Sequence, residues 1–512
     1  MVLKVAGSNP VIRPKMLFFF PFNFLVVTLS IPALGICYIF FQTNNQKIKN
    51  ISILVSFVTF VCSLFMWFSF DKFSTNFQFV CSLPWLSFYN INLTLGIDGI
   101  SLLLIVLTTF LLPLCLLTSQ NTIKSDIKLY YILFLLLELL LLLVFSTLDL
   151  MFFFIFFETV LIPMFLIIGI WGSRERKIRA SFFLSLYTLA GSVLMLLAIL
   201  YLHNTFGTTN YQYLLLVEIS PFSQKLCWLA FFIAFAIKVP MLPFHIWLPE
   251  AHVEAPTAGS VLLAGILLKL GSYGLLRFSL PLFPIASIYF KPLVCTMAVV
   301  SIVYASLTAI RQTDLKRVIA YASVSHMNCI IIGLFSFTVE GVEGSIIQML
   351  SHGLVSSALF LSIGVLYDRY HTRLIAYYSG LTMVMPLFSV FFLFYSLANI
   401  ALPGTSSFIG EFLILLGLFS FNRTLAVCAL MSMVLGGVYS LWVYNRILFG
   451  NLRTTFLKQF KDMTPTEIFI HVPLVFSILV MGIYPTIFTD IFHTSVTELM
   501  LPIQYAMEIQ NV

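Results

Sequence analysis

The sequence predicts an all-α polytopic membrane protein, and three observations carry that expectation. Of 512 residues, 60% are hydrophobic and only 9% are charged, where a soluble domain carries about 25% charge. The mean hydropathy is +1.04. Apolar runs of about 20 residues recur along the whole length, each long enough to cross about 30 Å of hydrocarbon. A β-barrel would show short alternating segments instead.

The hydropathy pattern divides into about fourteen transmembrane helices. Their expected centres fall near Val27, Phe60, Val106, Leu137, Phe157, Leu189, Phe235, Leu267, Val300, Ile330, Leu354, Phe392 running on to Leu415, Met433 and Ile478. Lysine and arginine then orient the chain. Loops that follow odd-numbered spans receive seventeen of them, including Lys124, Arg174, Arg176, Lys177, Arg311, Lys316, Arg373 and Lys458. Loops that follow even-numbered spans receive five: Lys72, Lys225, Arg277, Lys291 and Arg423. The positive-inside rule puts the odd-to-even loops on the cytoplasm-like face and both termini on the other. The tail charges Lys4, Arg13 and Lys15 oppose this and are outvoted.

Two spans interrupt themselves. Lys238-Val-Pro-Met-Leu-Pro243 carries two prolines, and Ala401-Leu-Pro-Gly-Thr405 carries Pro403 and Gly404. Each proline removes a backbone hydrogen bond, and unpaired backbone at membrane depth survives only where protein or water satisfies it. The breaks lie on the seventh and twelfth spans. An offset of five reverses the orientation, as an inverted repeat requires, and paired breaks of this kind mark transport sites.

Ionisable groups sit in segments that otherwise read as lipid-grade helix. Lys238 ends Phe231-Phe-Ile-Ala-Phe-Ala-Ile-Lys238, and Lys269 lies in Val261-Leu-Leu-Ala-Gly-Ile-Leu-Leu-Lys-Leu270. A charge at the bilayer centre costs about 2.5–3.5 kcal/mol on insertion scales, so such residues are functional candidates. Glu158, in Phe152-Phe-Phe-Ile-Phe-Phe-Glu-Thr159, must pair, protonate or meet water, and Lys238 is the expected partner. Such a pair is bistable: separating it lets the lysine release a proton. Glu411 follows the second break, and Glu138 is a further lone carboxylate that could face a neighbouring subunit. His245, His326 and His352 are candidate relays, since a histidine side chain can carry protons near neutral pH. The last two stand among small and hydroxylated residues that can hold water. A histidine on an apolar face is otherwise an ordinary core residue. The arrangement points to movement of protons or cations.

Other chemistries find no support. Eight scattered cysteines form no C-x-x-C pair and read as small core residues. No P-loop, G-x-G-x-x-G or metal-ligand spacing occurs. The expectation is no cofactor and no metal in this chain, and no nucleic-acid partner. Phenylalanine is abundant, at 54 residues, as an AT-rich organelle genome would favour.

Several long strings resemble a known family. They are Ile237-Lys-Val-Pro-Met-Leu-Pro-Phe-His-Ile-Trp-Leu-Pro-Glu-Ala-His252, Val253-Glu-Ala-Pro-Thr-Ala-Gly-Ser260, Leu268-Lys-Leu-Gly-Ser-Tyr-Gly274, Arg311-Gln-Thr-Asp-Leu-Lys-Arg-Val-Ile-Ala-Tyr321, Ser351-His-Gly-Leu-Val-Ser-Ser-Ala-Leu-Phe360 and Leu402-Pro-Gly-Thr-Ser-Ser-Phe-Ile-Gly-Glu-Phe412. They resemble the subunit 4 family of proton-pumping NADH:ubiquinone oxidoreductase (respiratory complex I), mitochondrial type, from about Leu95 to Tyr484. The resemblance implies an antiporter-like subunit with two inverted five-helix repeats. The expected division is 1–125 (three helices), 126–280 (first repeat, helices four to eight), 281–450 (second repeat, helices nine to thirteen) and 451–512 (loop, last helix and tail). By motif match, Glu158 and Lys238 are the control pair and Lys269 the central relay. His245, His326 and His352 line the axis, and Glu411 is the exit group. NADH, flavin, iron–sulfur clusters and ubiquinone would be bound by other subunits. Expected partners are the neighbouring antiporter-like subunits 2 and 5 and membrane lipids such as cardiolipin. The expected location is the mitochondrial inner membrane, with the basic loops on the matrix side and both termini facing the intermembrane space. A multi-subunit cation/proton antiporter shares the ionisable axis and is the competing reading. A chloroplast or bacterial relative is another, and a scaffold without transport leaves the buried charges unexplained.

Overall fold

Short polar caps start the long apolar helices. Asp98 caps Gly99–Thr122 in a reciprocal pair with Ser101, Asp314 caps Leu315–Leu334, and Asn422 caps Arg423–Leu448. Each side-chain oxygen accepts an N–H that the first turn leaves unpaired. The computed structural model describes residues 23–453 and 461–511; Lys4, Arg13, Lys15 and Lys458 lie outside them.

All fourteen expected centres fall within helices. Among the described residues, eleven helices are long and apolar enough to span a bilayer, and Phe24–Phe40, Pro386–Asn399 and Ser406–Phe421 are shorter apolar helices. Both breaks are present. Pro221–Lys238 stops at Lys238 and the chain resumes as Trp247–Glu254; Pro386–Asn399 stops before Ala401 and resumes as Ser406–Phe421. At the second break Ala401 and Gly404 turn with φ of +64° and +92°, a region glycine enters without cost. Protein groups satisfy the first break. Trp247 donates its indole N–H to the Ile237 carbonyl at 2.9 Å, and the Leu242 N–H donates to Ser301 at 2.9 Å.

Two elements were not anticipated. An antiparallel hairpin, β1 (Gln78–Leu86) and β2 (Ile91–Ile97), follows the second span. A final helix, Thr486–Asn511, follows the last expected span. It lies on the face opposite the basic loops, where Lys72 pairs with Asp490 at 2.8 Å and His493 with Glu343 at 2.5 Å.

Two helices form the centre. Thr257–Leu282 and Val339–Tyr370 are buried throughout their apolar windows, while only 28% and 39% of the windows in Asn45–Ser69 and Lys177–Phe206 are buried. Thr257–Leu282 carries wide π-type turns at Leu263–Leu267 and Leu275–Ser279, leaving a short regular α segment, Leu268–Gly274, between them. Gly271 lets this helix approach the first broken helix. A Cβ there would stand 2.8 Å from the Phe235 carbonyl oxygen and 3.0 Å from the Lys238 Cβ.

Four cations that the sequence assigns to loops are buried in the structure. Arg277 lies inside Thr257–Leu282, Lys291 inside Pro284–Arg311 and Lys316 in the first turn of Leu315–Leu334; Arg373 is in a loop but fully buried. Each has apolar or partnered surroundings that a hydropathy window averages away at a helix end.

Candidate functional site

The central helices bring a file of ionisable groups together. Lys269 has no exposure at all. Its Nζ donates to the Ala264 carbonyl at 2.5 Å and meets Nδ1 of His352 at 2.7 Å. The widened turn just before Leu268 places that carbonyl within reach. The His352 and His326 rings lie 5.8 Å apart, centroid to centroid. His326 Nδ1 meets Oε1 of Glu411 at 3.0 Å, and Gln348 donates to the same oxygen at 3.1 Å. Four helices contribute: Lys269 from Thr257–Leu282, His352 and Gln348 from Val339–Tyr370, His326 from Leu315–Leu334, and Glu411 from the second half of the second broken helix.

Unused capacity runs along the same line. Nε2 of His352, Nε2 of His326 and Oε2 of Glu411 are buried with no partner. Buried polar atoms are normally paired, so a line of open ones is where water or a moving proton fits. With Lys269 protonated, its ammonium donates to His352 Nδ1, leaving the ring proton on the unpartnered Nε2. A donating Nδ1–H on His326 would likewise satisfy Glu411. Each shift of a proton reverses a donor and an acceptor.

The other candidates fall on either side of this file. Glu158 Oε1 is buried without a partner, and Lys238 Nζ sits over the Phe157 ring at 4.5 Å. The two do not touch; the direct ion pair expected from the sequence is open in this structure. His245 stands apart, against Tyr304 at 5.5 Å and Tyr321 at 6.4 Å between ring centroids. Glu138 is fully buried and also off the file, accepting a 2.6 Å bond from Thr59 of Asn45–Ser69. It therefore faces a helix of its own chain, not the chain's outer surface.

Sequence reasoning passed over four further groups. His252 has no exposure, stacks on Phe360 at 4.8 Å and leaves both ring nitrogens unpartnered. Lys316 Nζ donates to the Ala255 carbonyl at 2.8 Å and reaches Ser260 at 3.4 Å. It also lines a cavity of about 640 Å3 that opens among the basic loops. Arg373 lies 3.9 Å from Glu254 and 3.7 Å from Asp314. Arg277 pairs with Asp98. The signal for Arg277 was available, since Leu275-Leu-Arg-Phe-Ser-Leu280 is as apolar as the surroundings of Lys269. Among the described residues, no group of His, Cys, Asp and Glu has the makings of a metal site, and all eight cysteines are free.

Comparison with known proteins places this geometry. Residues 26–147 match the family model for the amino terminus of NADH-ubiquinone oxidoreductase chain 4. Residues 147–436 match the transmembrane family NADH:quinone oxidoreductase/Mrp antiporter. The fold and the buried file thus define an antiporter-like membrane subunit. NADH-ubiquinone oxidoreductase chain 4 of Marchantia polymorpha is 54% identical over 474 residues, covering 92% of this chain and 96% of its own. That of Arabidopsis thaliana is 55% identical over 471 residues, covering 92% and 95%. A chain of respiratory complex I from Thermus thermophilus superposes with a TM-score of 0.87 at 28% identity, over 94% of this chain and 99% of its own. The chain belongs to the NADH-ubiquinone oxidoreductase chain 4 family.

Proposed function

We propose that the chain is a proton-translocating membrane subunit of NADH:ubiquinone oxidoreductase, driven by quinone reduction elsewhere in the complex. The observation that carries this is the file Lys269–His352–His326–Glu411, whose Lys269–His352 and His326–Glu411 contacts are of hydrogen-bond length and whose far sides are open. Lys269 is the central relay and Glu411 the exit group. Glu158 and Lys238 are the control element. In contact, each stabilises the other's charge; apart, the lysine is left buried with a ring face for company and gives its proton to the file. His252 and Lys316 lie between the basic-face cavity and Lys269 and extend the file in that direction. His245 and Glu138 act as flanking relays.

Residues 126–280 and 281–450 form the two inverted units around the breaks. The chain holds no cofactor of its own; NADH, flavin, iron–sulfur clusters and ubiquinone belong to other subunits. Its neighbours are the antiporter-like subunits 2 and 5, with lipids such as cardiolipin at the margins. It lies in the mitochondrial inner membrane, with the basic loops in the matrix and the Thr486–Asn511 helix on the intermembrane-space face.

The first test is native electrophoresis of detergent-solubilised mitochondrial membranes, with in-gel NADH oxidation and mass spectrometry of the active band. Peptides of this chain in that very large band support the assignment. Peptides only in a smaller, inactive band transfer it to the second reading, a subunit of a cation/proton antiporter, a class that the same transmembrane family model covers. Sodium- or potassium-dependent proton exchange would then be measured.

A further inference from the structure

Five lysines and arginines were expected on the face opposite the basic loops. Lys72 is paired with Asp490 and Arg277 with Asp98. Among the described residues, Lys225, Lys291 and Arg423 have no carboxylate within ion-pair reach. All three stand near the starts of helices that begin on that face: Pro221–Lys238, Pro284–Arg311 and Arg423–Leu448. None of these helices has an acidic residue in its first turn. A helix N-terminus carries about half a positive charge and disfavours a cation. Cations and helix starts gathered without counter-charge call for an anion from outside the chain.

Aromatic rings tie the three into one row. Lys225 Nζ lies 3.8 Å from the Tyr289 ring centroid. Two residues on, Lys291 Nζ lies 3.1 Å from that of Phe421 and donates to the Ser336 carbonyl at 3.1 Å. Two residues past Phe421, Arg423 lies over Phe419 at 5.5 Å. Lys291 is 8% exposed and forms the back of the row, while Tyr289 at 60% and Phe421 at 46% form its outer rim. From the rim toward the bilayer centre the wall is exposed and apolar, through Leu293 and Val300 on one helix and Val427 and Val434 on the other. Aromatic rings and basic groups at headgroup depth, above an apolar wall, match an anionic lipid better than an acidic protein segment.

We propose that Lys225, Lys291 and Arg423 form a headgroup site for an anionic phospholipid, whose phosphodiester meets the cations and whose acyl chains cover the wall of Pro284–Arg311 and Arg423–Leu448. The site deepens the reading of lipids as partners and rests on the chain's spanning a membrane, not on its pumping.

The assembled complex carrying Lys225→Gln with Arg423→Gln, and the wild-type complex, are stripped with the same detergent and their bound phospholipids counted by mass spectrometry. The wild type is expected to keep one anionic phospholipid more than the variant and to regain it from vesicles containing phosphatidylglycerol, but not from pure phosphatidylcholine. Lys225→Arg with Arg423→Lys is expected to keep it. Equal counts in wild type and variant overturn the site. So does cross-linking of Lys225 to an acidic segment of another subunit, or displacement of the lipid by inorganic phosphate alone without recovery from vesicles. If the double variant does not assemble, Lys225→Gln alone, at the half-buried rim, gives the same readings. NADH oxidation in the same preparations tells failure of the assembly from failure of the site.

Discussion

Lys269 is held by a carbonyl and an imidazole alone, so its charge is under-compensated and its proton has somewhere to go. Lys269→Met is expected to cut NADH-driven proton uptake into vesicles by more than about tenfold, a barrier change of about 1.4 kcal/mol, with little loss of assembly. Proton uptake at the wild-type rate would remove Lys269 from the path. Glu158→Gln leaves Lys238 without its counter-charge. The expected result is loss of pumping together with slower NADH oxidation, read as dye quenching and NADH absorbance in one preparation; full-speed pumping would sink the control-pair role. Asp98 and Arg277 make a different use of buried charge. Burial works against the Asp98 carboxylate, yet the neighbouring Arg277 guanidinium outweighs it and holds the pKa below the usual value. A depressed pKa means stability that is present above the unfolded value, about pH 4, and lost as pH falls through the folded one. Asp98→Asn strands the arginine and is expected to cost about 3–5 kcal/mol, seen as a lower melting temperature at neutral pH and a weaker acid dependence. Glu158, Lys238, Lys269 and Glu411 were legible because each is a lone charge in an apolar run. His252 and Lys316 were not, because each lies at an end of its run, where a charge looks solvated until the tertiary contacts are seen.

The breaks need support at the level of elements, and each receives it from a neighbouring helix. Gly482, on Pro465–Ile483, abuts the second break: a Cβ there would lie 2.6 Å from the carbonyl carbons of Gly404 and Thr405. Those are backbone atoms with little freedom to move. Gly482→Ala is expected to destabilise the subunit by about 1–3 kcal/mol and to lower the melting temperature of the assembled complex; an unchanged melt would show that the last span can retreat. The positions of both breaks were readable from Pro240, Pro243, Pro403 and Gly404. The π-type turns around Lys269 were not, since no proline or unusual residue type marks them. The hairpin at Gln78–Ile97 was missed because its apolar residues blend into a generally apolar sequence, and the Thr486–Asn511 helix because its polar face lowers its hydropathy.

At the scale of the whole molecule, the charge asymmetry predicts sidedness. A protease site inserted at Ser173, beside Arg174 and Lys177, is expected to be cut in inverted inner-membrane vesicles and protected in intact mitoplasts; the reverse pattern would invert the topology. Composition and hydropathy by themselves determined that the chain is helical and membrane-embedded, where its spans are centred and where two of them break. They could do so because a bilayer forces every buried backbone group into a helix and makes each exception visible as a proline, glycine or charge. The partners of the buried charges were decided only by the tertiary structure. Lys269 meets His352 across 83 residues of sequence, and His326 meets Glu411 across 85. It also parted Glu158 from Lys238, which their types alone would have joined. Separation along a sequence carries no distance, and the helix packing that sets those distances is the sum of many weak contacts, none of which a single residue type announces.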